Sequence, residues 1–106
     1  SKFMAIVEKH VDAIDNTAQA KVNYNNASFA LTDKVNAIYL NHDSKELGSN
    51  AEIRGAKIAS LTSAEQQAIR TLENELEIAR AKEARTKAEV EQMKYIIRAL
   101  EAKSEA

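Results

Sequence analysis

The stretch TSAEQQAIRTLENELEIARAKEARTKAEVEQMKYIIRALEAKSEA, residues 62–106, decides the fold. It holds neither Gly nor Pro, the two residues that most strongly interrupt a helix. Thr62-Ser-Ala-Glu65 matches a capping box, in which Thr62 accepts the Glu65 amide hydrogen and the Glu65 carboxylate reaches back. Ser63 and Gln66 offer the same arrangement one residue later. A helix from there to the end of the chain, about 44 residues, would be roughly 65 Å long. That is too long for a small globular core and points to a coiled coil.

The heptad pattern agrees. With Ile69 at an a position, Ile69, Leu76, Glu83, Val90 and Ile97 fall at a, and Leu72, Ala79, Thr86, Met93 and Leu100 fall at d. The 3-4 spacing runs without a slip, which predicts a left-handed supercoil. The seam is apolar at both ends and weak in the middle, at Ala79, Glu83 and Thr86. A Glu at an a position needs a partner or water, and Arg80 and Lys87 stand within helical reach of Glu83. We therefore expect Ile69, Leu72, Leu76, Val90, Met93, Ile97 and Leu100 to form the seam of a homo-oligomer.

Upstream, Phe3, Val7, Val11, Ile14 and Ala18 keep helical spacing, and Leu31, Val35 and Ile38 form a second stripe. Between them, Val22-Asn-Tyr-Asn-Asn-Ala-Ser28 is rich in poor helix formers. With no Gly or Pro to enforce a break, one helix with a weak centre is expected over residues 1–41. Residues 42–62 read as a connector. Gly48 suits a C-terminal cap, Ser49 or Asn50 can cap the next helix, and Ala51 to Ala59 forms that short helix, weakened by Gly55. Residues 63–106 are the coiled-coil helix. The fold class is thus all-α, a long helical hairpin with a short connecting helix, in a single domain.

Composition supports this. Of 106 residues, 44% are hydrophobic, but 19 are Ala and only 5% are aromatic, which favours thin helix-to-helix seams over a thick core. A chain this short buries only about 60–65% of its unfolded surface, so association would supply what one copy lacks. Fifteen basic against sixteen acidic residues give a net charge of −1 and no global attraction to nucleic acid or anionic lipid. The absence of Cys excludes disulfides and thiolate metal sites and fits a reducing cytoplasm. No apolar run reaches the ~20 residues of a membrane span, and the opening apolar stretch is too short for a signal peptide.

Ser49-Asn-Ala-Glu-Ile-Arg54, the Leu61-Thr62 step and the long Ala/Glu/Arg helix together resemble small coiled-coil proteins of tailed phages and prophages. The resemblance covers residues 49–106. It implies a mobile-element origin and a host-cytoplasmic location. That class carries no settled activity, so no functional residue transfers.

Catalytic signatures are missing from the sequence. The only histidines are His10, one turn from Val7 and Ile14, and His42, at a helix end beside Asp43. Two are too few for zinc within one chain. Glu73 with Glu77 and Glu89 with Glu91 are carboxylate pairs without the Glu-x-x-His of di-metal bundles. There is no Gly-rich phosphate loop, Gly-x-Ser-x-Gly or His-Glu-x-x-His. The expectation is a non-enzymatic protein with no cofactor and no metal, which binds itself and another protein.

Charge patterning leaves three readings open. Glu73, Glu75 and Glu77 precede Arg80, Lys82, Arg85 and Lys87, interrupted by Glu83. They form a solvated face with pairs such as Glu77–Arg80 and Glu83–Lys87. Alternatively they select an antiparallel partner helix crossing near Ala79. In the third reading Arg80, Lys82, Arg85 and Lys87 contact phosphates, as in an accessory nucleic-acid-binding protein for recombination or packaging, though no aromatic interleaves them for base stacking. Asn23, Tyr24, Asn25 and Asn26, with Ser28, make an uncharged polar patch, either a partner surface or a weakly packed mid-helix region. Tyr95, Ile96 and Ile97 make the last helix apolar on more than one side, so it should meet another chain.

Overall fold

The computed structural model describes residues 1–105, which form four helices and no strand. They are α1 (Lys2–Asn41), α2 (Ser44–Leu47), α3 (Ala51–Leu61) and α4 (Ser63–Glu105). The structure is 93% helical, and α1 and α4 pair as an all-α hairpin. α1 runs unbroken through residues 22–28. There Ser28 Oγ donates to the Tyr24 carbonyl (3.1 Å) and Thr32 Oγ1 to the Ser28 carbonyl (3.2 Å). Hydroxyls that compete for backbone groups in other contexts are bonded back along the helix.

Two compact units divide the chain, residues 1–21 with 75–106 and residues 22–74. In the first, the amino-terminal half of α1 lies antiparallel to the carboxy-terminal half of α4. Lys9 Nζ approaches Glu89 Oε2 (3.5 Å), and His10 Nδ1 bonds Thr86 Oγ1 (2.8 Å). In the second, α1 meets the start of α4 through a Lys34–Glu65 ion pair, and α2 and α3 make the connection.

Burial on α4 follows the heptad. Leu76, Thr86 and Val90 are buried, and Ile69, Leu72, Ala79, Glu83, Met93 and Ile97 are half-buried. The opposing stripe on α1 differs from the one its apolar residues suggest. Ala13 is buried and Phe3, Ile6, Val7, His10, Thr17, Ala20, Tyr24, Ala27, Leu31 and Val35 are half-buried, whereas Val11, Ile14 and Ala18 are exposed. The reason lies in α4. Its weak central layers, Ala79, Glu83 and Thr86, are small or polar, and the matching α1 stripe supplies His10, Ala13 and Thr17, equally small or polar. Valine or isoleucine opposite Thr86 would leave its hydroxyl with an unused acceptor site. Against His10 the hydroxyl gains a partner, and it also donates to the Glu83 carbonyl (3.0 Å).

The connector is capped by side chains. Asp43 Oδ1 accepts from the Lys45 amide (2.9 Å) and opens α2, and Asn50 Oδ1 accepts from the Ile53 amide (2.9 Å) and opens α3. Gly48 closes α2 with its amide on the Ser44 carbonyl (3.2 Å) at φ 149°, ψ 160°, a conformation essentially reserved for glycine. Leu47 is buried beside it, and Arg54 Nη1 returns to the Gly48 carbonyl (3.3 Å).

The capping box does not form. Thr62 Oγ1 donates back to the Ile58 carbonyl (2.8 Å) and accepts from Gln66 Nε2 (3.0 Å). The Thr62 amide still bonds the Ile58 carbonyl, and the Gln66 amide bonds the Thr62 carbonyl. Because α3 runs almost directly into α4, few amides are left for a cap to satisfy. Thr62 is buried, and Glu65 is free to turn to Lys34.

Candidate interaction surface

Six of the seven residues expected at an oligomer seam, Ile69, Leu72, Leu76, Val90, Met93 and Ile97, lie on the half-buried or buried side of α4 within the chain. Leu100 is exposed. The heptad face of α4 is thus used first by α1. An antiparallel α4–α4 pair through the same a and d positions would require α1 to leave.

The basic run does not form one stripe. On a 3.5-residue period, Arg80 and Lys87 occupy the e positions beside the seam, and Lys82 lies on the opposite flank with Arg85 just outside it. Arg80 Nη1 donates to Glu77 Oε1 (3.1 Å) and not to Glu83, which sits half-buried in the seam. Lys82 and Arg85 join Lys9, Thr86 and Glu89 around a cleft of about 190 Å³. Among the described residues neither Lys82 nor Arg85 has an ion-pair partner, so three cations surround one carboxylate there.

Two further depressions lie on the same unit. One, of about 220 Å³, is lined by Lys2, Ile6, Glu89, Gln92, Met93 and Ile96. The other, of about 280 Å³, is lined by Glu91, Lys94, Tyr95 and Arg98. All three volumes fall below the ~300–1,000 Å³ of small-molecule pockets. Among the described residues no group of three His, Asp or Glu side chains is placed to hold a metal ion. Among the described residues no helix is long and apolar enough to cross a membrane.

Asn23, Asn25 and Asn26 are exposed, whereas Tyr24 is half-buried on the packed side of α1, so the four residues split between two faces. His42 Nδ1 sits 3.1 Å from Glu46 Oε2 across the α1–α2 turn. The Glu65 carboxyl is held below its ordinary value of 4.5 chiefly by the hydrogen bond from Lys34, then by a backbone hydrogen bond, with partial burial opposing. Its second oxygen is buried without a partner.

Much of the surface left open to solvent is apolar. On α1, Met4 (54%), Val11 (49%) and Ile14 (42%) are exposed, with half-buried Val7 between them. Their spacing, completed by Ala18, is 3-4-3-4, a second heptad stripe beside the one packed on α4. Phe29, Leu40, Ile78, Tyr95, Ile96 and Leu100 are also exposed. The sequence contains this second stripe plainly, and the packed face expected from apolar spacing includes much of it. Two registers of equal period run along α1, and only the polarity of the opposing α4 layers chooses between them.

Comparison with known family models, characterised proteins and solved structures finds no match to this chain.

Proposed function

We propose that this chain is a non-enzymatic, self-associating coiled-coil protein that works by binding other macromolecules in the cytoplasm. The observation that carries this reading is the second heptad stripe. A helix whose apolar residues all served the hairpin would bear one such stripe. α1 bears two, and the exposed one includes Met4, Val11 and Ile14. Large apolar side chains in a row on a solvent face suit a surface that meets a partner. The phage-like stretch at residues 49–106 supports a mobile-element origin.

Light scattering during size-exclusion chromatography, at low and high salt, tests the reading. A dimer or larger species agrees with it. A folded species of 11.7 kDa at every concentration refutes the self-association.

A second reading has its own observation, the convergence of Lys9, Lys82 and Arg85 on one cleft. Three cations there fit a phosphate of a nucleic-acid backbone, the accessory role in recombination or packaging. Binding to short DNA or RNA that weakens with salt, with a smaller salt slope in Lys82→Ala with Arg85→Ala, supports it. No binding at low ionic strength ends it.

A further inference from the structure

We infer that the stripe of exposed Met4, Val11, Ile14 and Ala18 with half-buried Val7 docks against the same stripe of a second copy, with the two α1 helices parallel and in register. This deepens the proposed self-association and rests on it. The stripe has the a/d spacing of a two-stranded coiled coil, and it lies wholly within the unit formed by residues 1–21 and 75–106.

Charge chooses the occupant and its direction. On a 3.5-residue period, Glu8 and Asp15 border the stripe on the side of α1 turned away from α4. Bordering it on the other side are the e positions of α4, Arg80, Lys87 and Lys94. That flank follows from handedness, because Lys9–Glu89 fixes the opposite flank of the antiparallel pair. The surface therefore reads acidic, apolar, basic across its width. Its apolar strip alone, on the order of 300 Å², is no larger than the biggest patch on many monomers. The flanking charges make it self-complementary.

A twofold axis running along the helices lays α1 on the partner's α1 and reverses the order of the flanks. Acid then faces base on both sides. The Lys9–Glu89 and His10–Thr86 contacts put Glu8 within about a turn of the level of Lys87, and Asp15 within about a turn of Arg80. Each acid therefore meets a base of the partner at its own height. An antiparallel pair, with the axis across the helices, sets acid on acid and base on base. Like charges so placed disfavour it. A lipid surface would match the basic flank and repel the acidic one.

The stripe runs for about 22 Å of helix, so the interface falls at or below the standard ~800 Å² per partner. Light scattering should be run at ~0.2 mM protein, because interfaces of this size dissociate on dilution. We expect twice 11.7 kDa for the natural chain. Val11→Glu with Ile14→Glu should return the mass to 11.7 kDa with helicity unchanged, since both side chains already meet water. Glu8→Lys with Asp15→Lys should also give a monomer, and adding Arg80→Glu with Lys87→Glu should restore the dimer, which a loss of folding could not do. The chain has no cysteine, so Met4→Cys provides a single thiol. Oxidation should link Met4→Cys copies as a disulfide dimer, because residue 4 meets residue 4 only in the parallel arrangement. In the antiparallel one, residue 4 lies about 21 Å away, opposite residue 18.

Other results overturn the proposal and separate its failure from that of the broader reading. A natural chain of 11.7 kDa at this concentration removes both. An oligomer that persists in the Val11→Glu, Ile14→Glu chain keeps self-association and moves it to another surface. A Val11→Cys disulfide without the Met4→Cys one reverses the helices. A monomer that binds anionic vesicles through Val11 and Ile14 assigns the stripe to lipid instead.

Discussion

The two glycines of this chain should respond to the same substitution with opposite signs. At Gly48 the backbone has φ 149° and ψ 160°, a region open essentially to glycine alone, where another residue costs about 1–3 kcal/mol. A Cβ built there lies 2.5 Å from Ile53 Cγ2 and 3.0 Å from both Ile53 Cβ and the Arg54 amide nitrogen. Ile53 can rotate its Cγ2 away, because it is exposed, but its Cβ and the Arg54 amide are fixed by the first turn of α3. Such crowding adds about 1–3 kcal/mol. Gly48→Ala should therefore lose about 2–6 kcal/mol. Each kcal/mol moves the melting temperature of a domain of this size by roughly 4–8 °C, so the drop should reach at least about 8 °C.

Gly55 stands in the middle of α3 with nothing within 4 Å of a built Cβ. Gly55→Ala removes backbone freedom from the unfolded chain and should gain about 0.5–1 kcal/mol. Thermal unfolding followed by far-ultraviolet circular dichroism reads both. Gly48→Ala with Ile53→Ala removes only the contact with Ile53 Cγ2 and leaves the Cβ, the Arg54 amide and the dihedral cost, so it should recover little of the loss. If Gly48→Ala melts within about 3 °C of the natural chain, a gap smaller than 1 kcal/mol would produce, the turn geometry at Gly48 is wrong. If Gly55→Ala falls as far as Gly48→Ala, the effect is not local backbone conformation.

The polar layer makes a second prediction. Thr86→Val leaves His10 Nδ1 without its partner and should cost about 1–3 kcal/mol in urea unfolding, while His10→Leu with Thr86→Val should lose much less than the two singles added. Register can be checked with two neighbours on α4: Leu76→Ala, at a residue 4% exposed, should cost about 2–4 kcal/mol, and Ile78→Ala, at one 62% exposed, should stay within about 0.5 kcal/mol. The Lys34–Glu65 pair gives a pH dependence. Because the folded carboxyl titrates below 4.5, its contribution is present above that value and disappears as pH falls through the lowered one. Lys34→Met should then destabilise the chain at neutral pH, with the difference shrinking in acid, and the Glu65 carboxyl signal should titrate at higher pH in Lys34→Met; an unmoved titration refutes the pairing.

Much of the fold was legible from residue order. The heptad from Ile69 to Ile97 is the packed face of α4, since its a/d pattern runs without a slip. Gly48, Asn50 and the unbroken α1 follow from local backbone chemistry, which depends on neighbours within a turn. Thr62 misled because a capping box is read from four residues, and whether those amides need a cap depends on the helix arriving before them. Glu65 found its partner in Lys34, far away in sequence.

The sequence by itself determined that the chain is helical, where its long helices run, and which side of α4 is apolar. These are properties of period and propensity along one strand of chain. It could not choose between the two heptad stripes of α1, Phe3–Ile6–His10–Ala13–Thr17 and Met4–Val7–Val11–Ile14–Ala18, which have the same period and lie side by side. The more apolar stripe looks like the core when α1 is read alone. Tertiary structure chose the other: Glu83 and Thr86 stand opposite, and the Thr86 hydroxyl, which donates to the Glu83 carbonyl, takes His10 Nδ1 as a second partner where valine would offer none. That choice, made between helices, turned the more apolar stripe out to solvent.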